Sequence, residues 1–282
     1  MPLGGASWGL EVPLYFAPSP EFIEKPTLKR SNAHQIVAAE YKAVRTAVGL
    51  LDISGFSRFQ VPGPDAAVWL DRVLADLLFM GCATFDIGLI RAKVGRLSVT
   101  GELGYEIHCA AAEHIMLRRA LIDAGAGLGL REVGFNALLS LRLEKSFGIW
   151  NAEFTQGYTP GMTGMDRWID WDKGDFIGRE AALRERDGPG PAQVLVTLEL
   201  DAADADASGF EPVWRDGERV GFVTSGGYGH SVNRSLAMAL VDRAQAEVGA
   251  HLTVHVVGAE LTARVIAPSP HDPSGSAMRG KA

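Results

Sequence analysis

Arg96-Leu97-Ser98-Val99-Thr100-Gly101-Glu102-Leu103-Gly104-Tyr105-Glu106-Ile107-His108 is the stretch that decides the predicted fold, because it predicts two short strands joined by a glycine-rich turn. Polar and apolar residues alternate over 96–99 and again over 105–109, which is the pattern of half-buried strands. On the second strand Glu106 and His108 point to one face, since successive side chains alternate across a strand. The apolar residues beside them point to the other face.

The segment 134–145 that follows predicts a helix with one apolar stripe. Positions at the i, i+3, i+4 and i+7 spacing of a helix face are occupied by Phe135, Leu138, Leu139 and Arg142. The stripe therefore ends in a charged residue. An inward arginine, like an inward Glu106, needs a partner or a polar ligand, because an isolated buried charge is strongly disfavoured.

Two interpretations of these charges remain open at the level of the residues. Glu106 and Arg142 can form an ordinary ion pair, or Arg142 can extend its guanidinium to water. Alternatively, the two charges line a polar pocket for a planar heterocycle. In that case Trp150, one to two helical turns further on, is the aromatic wall of the pocket.

Composition is that of a soluble globular protein. The 282 residues are 47 % hydrophobic and 22 % charged, with a formal net charge of −7. An acidic chain is a poor match for nucleic acid or for an anionic membrane surface. Cys82 and Cys109 make neither a disulfide framework nor a metal-binding spacing, which suits a reducing cytoplasm. The N-terminus lacks a signal-peptide pattern, and the apolar run 77–90 is too short for a membrane span.

From Gln193 onward the pattern is of strands alone. Six short strands without an intervening helix predict a small closed β-barrel, with strands at 194–200, 211–214, 219–224, 235–241, 251–257 and 260–266. Asp216-Gly217 is a strong hairpin-turn signal, and Gly258-Ala259 is a second one. His251 and His255 lie four apart, but in a strand pattern, so no metal site is predicted.

Thr-Gly-Glu-Leu-Gly-Tyr-Glu-Ile at 100–107, followed by Ser-Leu-Arg-Leu-Glu-Lys at 140–145, resembles the folate-binding core of the glycine-cleavage T-protein (aminomethyltransferase) family. The likeness is closest to the folate-binding C-terminal half of dimethylglycine and sarcosine dehydrogenases. Further blocks that resemble the family, in family order, lie at 48–54, 158–160, 172–179 and 223–228. Agreement of several blocks in order is specific, although each block alone is weak.

The resemblance implies an α+β fold, with a shortened folate-binding α/β domain followed by a small six-stranded barrel. We expect four parts: an extended arm at 1–30, the aminomethyltransferase-like domain at 31–190, the barrel at 191–268 and a loose tail at 269–282. A helix capped by Asp65 is predicted in the first half. After Asp76 the likeness breaks, because family members carry there a further block with the aspartate assigned to catalysis. The catalytic residues of this chain therefore stay unknown.

The resemblance also implies roles for three cofactor-binding residues. Glu106 occupies the position whose carboxylate accepts hydrogen bonds from one edge of the reduced pterin. Arg142 is the pocket arginine, and Trp150 is the aromatic residue after the helix, with core packing as the alternative for Trp150. Val99 replaces the family's tyrosine and removes a hydroxyl from the pocket. Glu102 is expected to be exposed in its turn.

The implied function is tetrahydrofolate-dependent one-carbon transfer linked to demethylation of N-methylated glycines, such as dimethylglycine and sarcosine. A carboxylate that replaces the missing aspartate would come from Asp52, Asp76 or Asp86. One alternative is a non-catalytic module that holds folate or docks on a flavoprotein. The other is an inactive remnant.

Cofactor and partner expectations follow from the same likeness. The family's flavin half would precede Met1, and a dinucleotide-binding fingerprint is missing, so the chain is expected to carry tetrahydrofolate and no flavin. A separate FAD-dependent dehydrogenase would then supply the methylated amine or its iminium. Loss of strands after Asp76 would expose a sheet edge and apolar surface at 77–80 and 89–90, so self-association is also expected.

Overall fold

The computed structural model of the protein describes residues 3–5, 11–53, 58–62 and 77–280, and it divides into two compact units. The first unit comprises Met1–Lys145 with Asp272–Ala282, and the second comprises Ser146–His271. The first contains a mixed sheet with helices and the second a closed barrel, so the predicted α+β architecture is confirmed. The helix predicted after Asp65 lies outside the described residues.

The first unit is built on a sheet that has six strands in the described part of the chain. The strand order is β5-β6-β7-β4-β3-β8, in which β8 runs parallel to β3 and the other neighbours pair antiparallel. A separate two-stranded pair, β1–β2, precedes it. The elements are β1 (Leu3–Gly5), β2 (Glu11–Pro13), α1 (His34–Thr46), β3 (Gly49–Asp52), β4 (Arg58–Pro62), β5 (Cys82–Ile87), β6 (Ile90–Gly95), β7 (Gly104–His108), α2 (His114–Gly125), β8 (Arg131–Val133) and α3 (Phe135–Leu143).

β7 and α3 form where the sequence predicts them, but the strand predicted at 96–99 is wrong. β6 has already ended, and residues 96–103 form an irregular loop. Side chains of this loop bind its own backbone, since the Ser98 hydroxyl accepts a hydrogen bond from the Gly101 amide at 3.0 Å. Local bonds of this kind compete with strand pairing, which explains why the alternating pattern misled.

The two faces of the sheet carry two separate hydrophobic cores. On β3, Leu50 joins the cluster formed with α2, whereas its neighbour Leu51 joins the cluster formed with α1 and α3. Tyr105 and Ile107 on β7 belong to the α2 cluster. Because side chains alternate along a strand, Glu106 lies on the opposite face, which α1 and α3 cover. We call it the α1/α3 face.

The second unit begins with short helices and continues as the predicted barrel. The six strands close in the order β10-β11-β12-β9-β14-β13, with antiparallel neighbours throughout. Alternate residues of these strands fill the barrel interior. The elements are α4 (Pro160–Thr163), a 3-10 turn (Asp166–Trp168), α5 (Arg179–Asp187), β9 (Gln193–Leu200), β10 (Pro212–Arg215), β11 (Glu218–Gly229), β12 (Arg234–Asp242), β13 (His251–Val256) and β14 (Ala259–Ile266).

Two-residue turns close two hairpins of the barrel. Asp216 and Gly217 join β10 to β11 with φ of 51° and 82°, as the sequence predicts. The β13–β14 turn is Val257-Gly258, with φ of 48° and 77°, one residue earlier than predicted. Positive φ at both central residues matches the type I′ turn, whose twist suits a tight hairpin.

Apolar side chains are exposed at both ends of the β5–β6 hairpin. Leu78 and Met80 precede β5, whereas Leu89 lies in the turn after it and is fully exposed. The 6 residues of β5 separate these positions. At about 3.3 Å per residue the ends of such a strand lie about 20 Å apart, so the exposed side chains at 78–80 and at 89 form two separate places. β5 is an edge strand within the described residues, and self-association stays a prediction.

The N-terminal arm is attached to the start of α3. The Leu14 carbonyl accepts a hydrogen bond from the Asn136 amide at 3.0 Å. Gly134 lies so close beneath the arm that a Cβ there would collide with the Leu14 carbonyl, which explains the glycine. Tyr15 is buried and donates to Glu24 at 2.9 Å, and burial together with this bond raises the pKa of Tyr15 to about 12.

Glu40 on α1 binds both the N-terminal arm and the residue before α3. Its carboxylate is 2 % exposed and accepts the Phe16 amide at 2.5 Å and the Gly134 amide at 2.9 Å. Burial raises the pKa of this carboxyl, and the two amides and the nearby Arg131 only partly offset the increase. The folded protein therefore binds a proton at Glu40 more tightly than the unfolded chain does.

Replacement of Glu40 by glutamine should reveal this raised pKa as a pH dependence of stability. The stabilisation by the protonated carboxyl is fully present below about pH 4.5 and is lost as the pH rises through the raised folded pKa. The free energy of unfolding of the wild type minus that of Glu40→Gln should thus decrease as the pH rises from about 4.5 through the raised folded pKa. Urea unfolding of both proteins from pH 4 to pH 8 measures it. A difference that stays constant or grows with pH would contradict the assignment.

Candidate functional site

Glu106 lies in the middle of the sheet, on the α1/α3 face. In register it stands between Gly95 on β6 and Gln60 on β4. Its side chain is largely buried, and its carboxylate lies 3.7 Å from the Nε2 of His108 on the same strand. A central, largely buried carboxylate on one face of a sheet suits recognition of a polar edge of a ligand.

Arg142 lies in the last turn of α3 and is 2 % exposed. Ala137, Leu138 and Leu141 of the same helix pack into the core that α1 shares with the sheet. α3 therefore lies over the face that carries Glu106, as the sequence interpretation requires. The predicted ion pair between Glu106 and Arg142 stays a prediction.

A buried network of charges connects this helix to the loop before β7. Arg45 on α1 pairs with Glu102 in the loop and, at 2.9 Å, with Glu144 immediately after α3. Its Nε donates to the Tyr41 hydroxyl at 3.0 Å, and that hydroxyl donates to Glu144. The expectation that Glu102 is exposed is wrong, since it is 7 % exposed. No local pattern points to this burial, because the partner Arg45 lies 57 residues away.

The electrostatics of this network favour a charged Arg45. Burial alone would lower the pKa of the guanidinium, but the charges and hydrogen bonds of Tyr41 and Glu102 outweigh burial and raise it. Two carboxylates share the cation, and each is withdrawn from water. Removal of the arginine would leave them buried without their counter-ion, which is among the costliest single changes in a core.

A second buried cation fixes the same loop from the other side. Lys145 is 2 % exposed, and its aliphatic stem packs over Gly101, which has φ of 82° and no room for a Cβ. Its Nζ donates to the backbone carbonyl of Asp272 and lies 3.3 Å from the Asp272 carboxylate. The glycine at the tip of the loop is thus required both by its backbone and by close packing.

Asp272 organises the C-terminal segment that follows it. Its carboxylate accepts hydrogen bonds from the Ser274 hydroxyl, from the Ser276 hydroxyl and amide and from the Ala277 amide, all at 2.9–3.2 Å. Burial by itself would raise the pKa of this carboxyl, but the bonds from Ser276, Ser274 and Ala277 hold it well below its usual range. Residues 272–280 of the predicted tail are thereby attached to the first unit through Lys145.

Trp150 belongs to the second unit and is 65 % exposed, so core packing is the wrong interpretation for it. It sits in a tight loop in which the Asn151 amide bonds the Phe154 carbonyl at 3.0 Å. The loop is anchored by Glu153, which is fully buried and accepts the Ile149 amide at 3.0 Å. On the barrel strand β11 the same carboxylate accepts the hydroxyls of Thr224, at 2.6 Å, and Ser225. The exposed indole of Trp150 therefore lies on a loop whose backbone is held by the hydrogen bonds of Glu153.

The carboxylates considered as replacements for the catalytic aspartate are poorly placed. Asp52 follows Leu51 on β3 and therefore lies on the α2 face, where its carboxylate is 3.4 Å from His114 on α2. Asp86 is exposed on the edge strand β5, 3.9 Å from Arg91. Asp76 lies outside the described residues. Asp52 is thus on the opposite face of the sheet from Glu106, and Asp86 is on a strand two places away from β7.

Among the described residues, cavities are found in other places. One of about 600 Å³ lies between the arm, α1 and β8, and one of about 240 Å³ lies beside α5 in the second unit. Glu106, Arg142 and Trp150 line neither. Over the described ranges, no group of three or more histidine, cysteine or acidic side chains is placed to hold a metal ion. A helix with the length and apolar character of a membrane span is likewise not found in those ranges.

Comparison with known families gives matches along most of the chain. The model described as "GCVT N-terminal domain" matches residues 4–78 and 74–173. The model described as "Glycine cleavage T-protein C-terminal barrel domain" matches residues 193–272. The two stretches of the first match meet at residues 74–78, which is where the sequence analysis places the missing block.

Similar proteins include a mitochondrial dimethylglycine dehydrogenase of Homo sapiens, 31 % identical over 234 residues that make up 80 % of this chain and 26 % of the human protein. An aminomethyltransferase of Halalkalibacterium halodurans is 31 % identical over 198 residues, which are 70 % of this chain and 54 % of the relative. The chain thus spans about a quarter of the dehydrogenase and about half of the aminomethyltransferase.

A crystal structure of the glycine cleavage system aminomethyltransferase T from Bartonella henselae superimposes with a TM-score of 0.80 and 19 % identity. The superposition covers 96 % of this chain and 94 % of that one. At this identity the likeness concerns the fold, and it confirms the fold that the sequence analysis expected.

Replacement of Asp272 by asparagine should destabilise the first unit at neutral pH, because the amide cannot neutralise the buried Lys145 ammonium. The carboxylate's contribution is present above about pH 3.8 and is lost as the pH falls through its depressed folded pKa. The stability difference between wild type and Asp272→Asn should therefore shrink in acid. Urea unfolding from pH 2.5 to pH 7 measures it, with the exposed Glu247→Gln as control. An equal loss at every pH would contradict the role of the charge.

Proposed function

Since the chain belongs to the glycine cleavage T-protein family, we propose that it binds tetrahydrofolate and takes part in one-carbon transfer. The observation that carries the proposal is that Glu106 stands at the centre of the sheet, on the face that the Arg142-bearing helix covers. Both residues lie in blocks that match the family's folate-binding motif. The fold supports the proposal.

Glu106 supplies the contact that selects the pterin. A reduced pterin presents a 2-amino group and a ring N–H side by side, and one carboxylate accepts both in a bidentate, charge-assisted arrangement. Arg142 orients this carboxylate and faces the ring system with its planar guanidinium. Trp150 is the aromatic contact of the cofactor, and its exposed ring offers a surface on which a flat heterocycle can stack.

The one-carbon donor that we propose is an N-methylated glycine such as dimethylglycine or sarcosine. Its oxidation gives an iminium or formaldehyde, which the folate nitrogens capture as 5,10-methylenetetrahydrofolate. The similarity to dimethylglycine dehydrogenases supports this choice. A separate FAD-dependent dehydrogenase is the proposed partner, and association of two copies of this chain is a further one. Chemically the protein would position the folate against an electrophilic carbon, which is catalysis mainly by proximity.

A second candidate function is folate binding without turnover. The position of Asp52 on the opposite face of the sheet and the exposure of Asp86 favour it, because a proton acceptor must lie within hydrogen-bond reach of the reacting nitrogen. Single-turnover assays separate the two functions. Catalysis requires that the protein accelerate methylenetetrahydrofolate formation beyond the spontaneous reaction of formaldehyde with tetrahydrofolate. A binding module would retain the affinity and leave that rate unchanged.

Isothermal calorimetry with tetrahydrofolate should detect saturable binding to the wild-type chain and weaker binding to Glu106→Gln. The glutamine presents one oxygen and one NH2 group to two donors, so a charge-assisted hydrogen bond is lost. A loss of about 1.5–3 kcal/mol corresponds to a roughly 10- to 100-fold higher Kd.

The control for this experiment is Glu132→Gln on β8, which changes the same atoms at the far edge of the sheet. It should bind tetrahydrofolate like the wild type. Absence of binding heat from the wild type at high micromolar tetrahydrofolate would refute folate binding. An equal effect of the two substitutions would refute the role of Glu106.

A further inference from the structure

One buried cation connects the strand that carries Glu106 with the helix that carries Arg142. Arg45 bonds Glu102, four residues before Glu106, and Glu144, two residues after Arg142. We propose that Arg45 and Tyr41 are positioning residues that hold the two ligand-contacting side chains in register for tetrahydrofolate. This inference rests on the proposed function of the site.

The connection to β7 is short and stiff. Glu102 is followed after one residue by Gly104, where β7 begins, so a displaced Glu102 displaces the start of the strand. Within the loop, the Ser98 hydroxyl accepts the Gly101 amide and the Thr100 hydroxyl accepts the Glu102 amide at 3.3 Å. Lys145 packs on Gly101. To these contacts the Arg45–Glu102 pair adds a direct bond between the loop and α1.

The connection to α3 is equally direct. Glu144 caps the C-terminal end of α3, where the negative end of the helix dipole disfavours a carboxylate. Pairing with Arg45 and the Tyr41 hydroxyl compensates for this unfavourable place. Glu144 is fully buried at this end of the helix. The network explains its place there, since the helix itself does not favour a carboxylate at that end.

The geometry requires a guanidinium. Three nitrogens of Arg45 are used in three directions: Nε to Tyr41, one terminal nitrogen to Glu102 and the other to Glu144. A lysine keeps the charge, but its single ammonium cannot reproduce a planar fork that reaches both carboxylates. Tyr41 closes the ring, because its hydroxyl accepts from Arg45 and donates to Glu144.

A purely structural role would predict loss of stability without a specific loss of affinity. The chain offers a matched pair of substitutions to separate the two. Tyr41→Phe and Tyr15→Phe each remove one buried tyrosine hydroxyl that donates to a glutamate in the first unit. The Tyr15 hydroxyl bonds Glu24 within the arm, whereas the Tyr41 hydroxyl belongs to the network. The same atom is removed at the two sites, but only the Tyr41 hydroxyl also accepts a hydrogen bond from Arg45.

The experiment measures the Kd for tetrahydrofolate by calorimetry and the stability by urea unfolding for wild type, Tyr41→Phe, Tyr15→Phe and Arg45→Lys. We expect Tyr41→Phe to raise the Kd 3- to 10-fold and Arg45→Lys at least 10-fold, while Tyr15→Phe leaves it within 2-fold. Amide hydrogen exchange gives a second readout without ligand. Residues 104–108 should exchange faster in Tyr41→Phe and unchanged in Tyr15→Phe.

The possible failures are distinguishable. If the wild type binds tetrahydrofolate and Tyr41→Phe binds equally well, with unchanged exchange at 104–108, the positioning role is overturned and the proposed function stands. If the wild type does not bind, the proposed function fails, and the positioning role for this cofactor fails with it. Tyr41→Phe keeps the test decisive should Arg45→Lys not fold, because it removes a single oxygen atom.

Discussion

The ion pairs of Arg45 are the interaction on which the first unit depends. One guanidinium on α1 neutralises a glutamate from the loop before β7 and another from the end of α3. Hydrophobic packing brings these elements together, but it is non-directional and tolerates small shifts along an interface. A buried charge network does not tolerate such shifts. Each carboxylate must stay close to its donor or remain unpaired in a poorly solvating interior. Packing therefore sets the layers of the sheet and helices, and the network sets their register.

Much of the fold could be predicted from local pattern. β7, α3 and the six barrel strands follow from periodicity, and the Asp216-Gly217 turn follows from backbone preference. Burial of Glu102 could not be predicted in this way, because its partner Arg45 lies 57 residues away. A glutamate in a glycine-rich turn is normally exposed, and only the folded neighbours reverse that expectation. The false strand at 96–99 has the same origin, since side-chain bonds within the loop replaced strand pairing.

In the candidate site, too, some features could be predicted from local pattern and others could not. Glu106 could be assigned a face from alternation and Arg142 from helical spacing, so both were accessible to sequence reasoning. Exposure of Trp150 was not, because it depends on Glu153, which is buried and bound to hydroxyls of β11 more than seventy residues along the chain. In both units a buried glutamate fixes the backbone beside a residue assigned to the cofactor. Such supporting residues are difficult to find from local pattern, because the residues next to them in sequence form no distinctive motif.

The strand order keeps Glu106 in a fully paired strand, although the family match divides at residues 74–78. β4 precedes the break and β7 follows it, yet the two strands pair directly, with Gln60 opposite Glu106. β7 consequently has a hydrogen-bonded neighbour on each side, and within the described residues the sheet edge falls at β5, two strands away. A strand at a sheet edge has backbone hydrogen-bond partners on one side only, so its loss removes the fewest hydrogen bonds. Glu106 therefore lies in the interior of the sheet, two strands from that edge. The strand pairing that positions it is made by β4 and β6, on the two sides of β7.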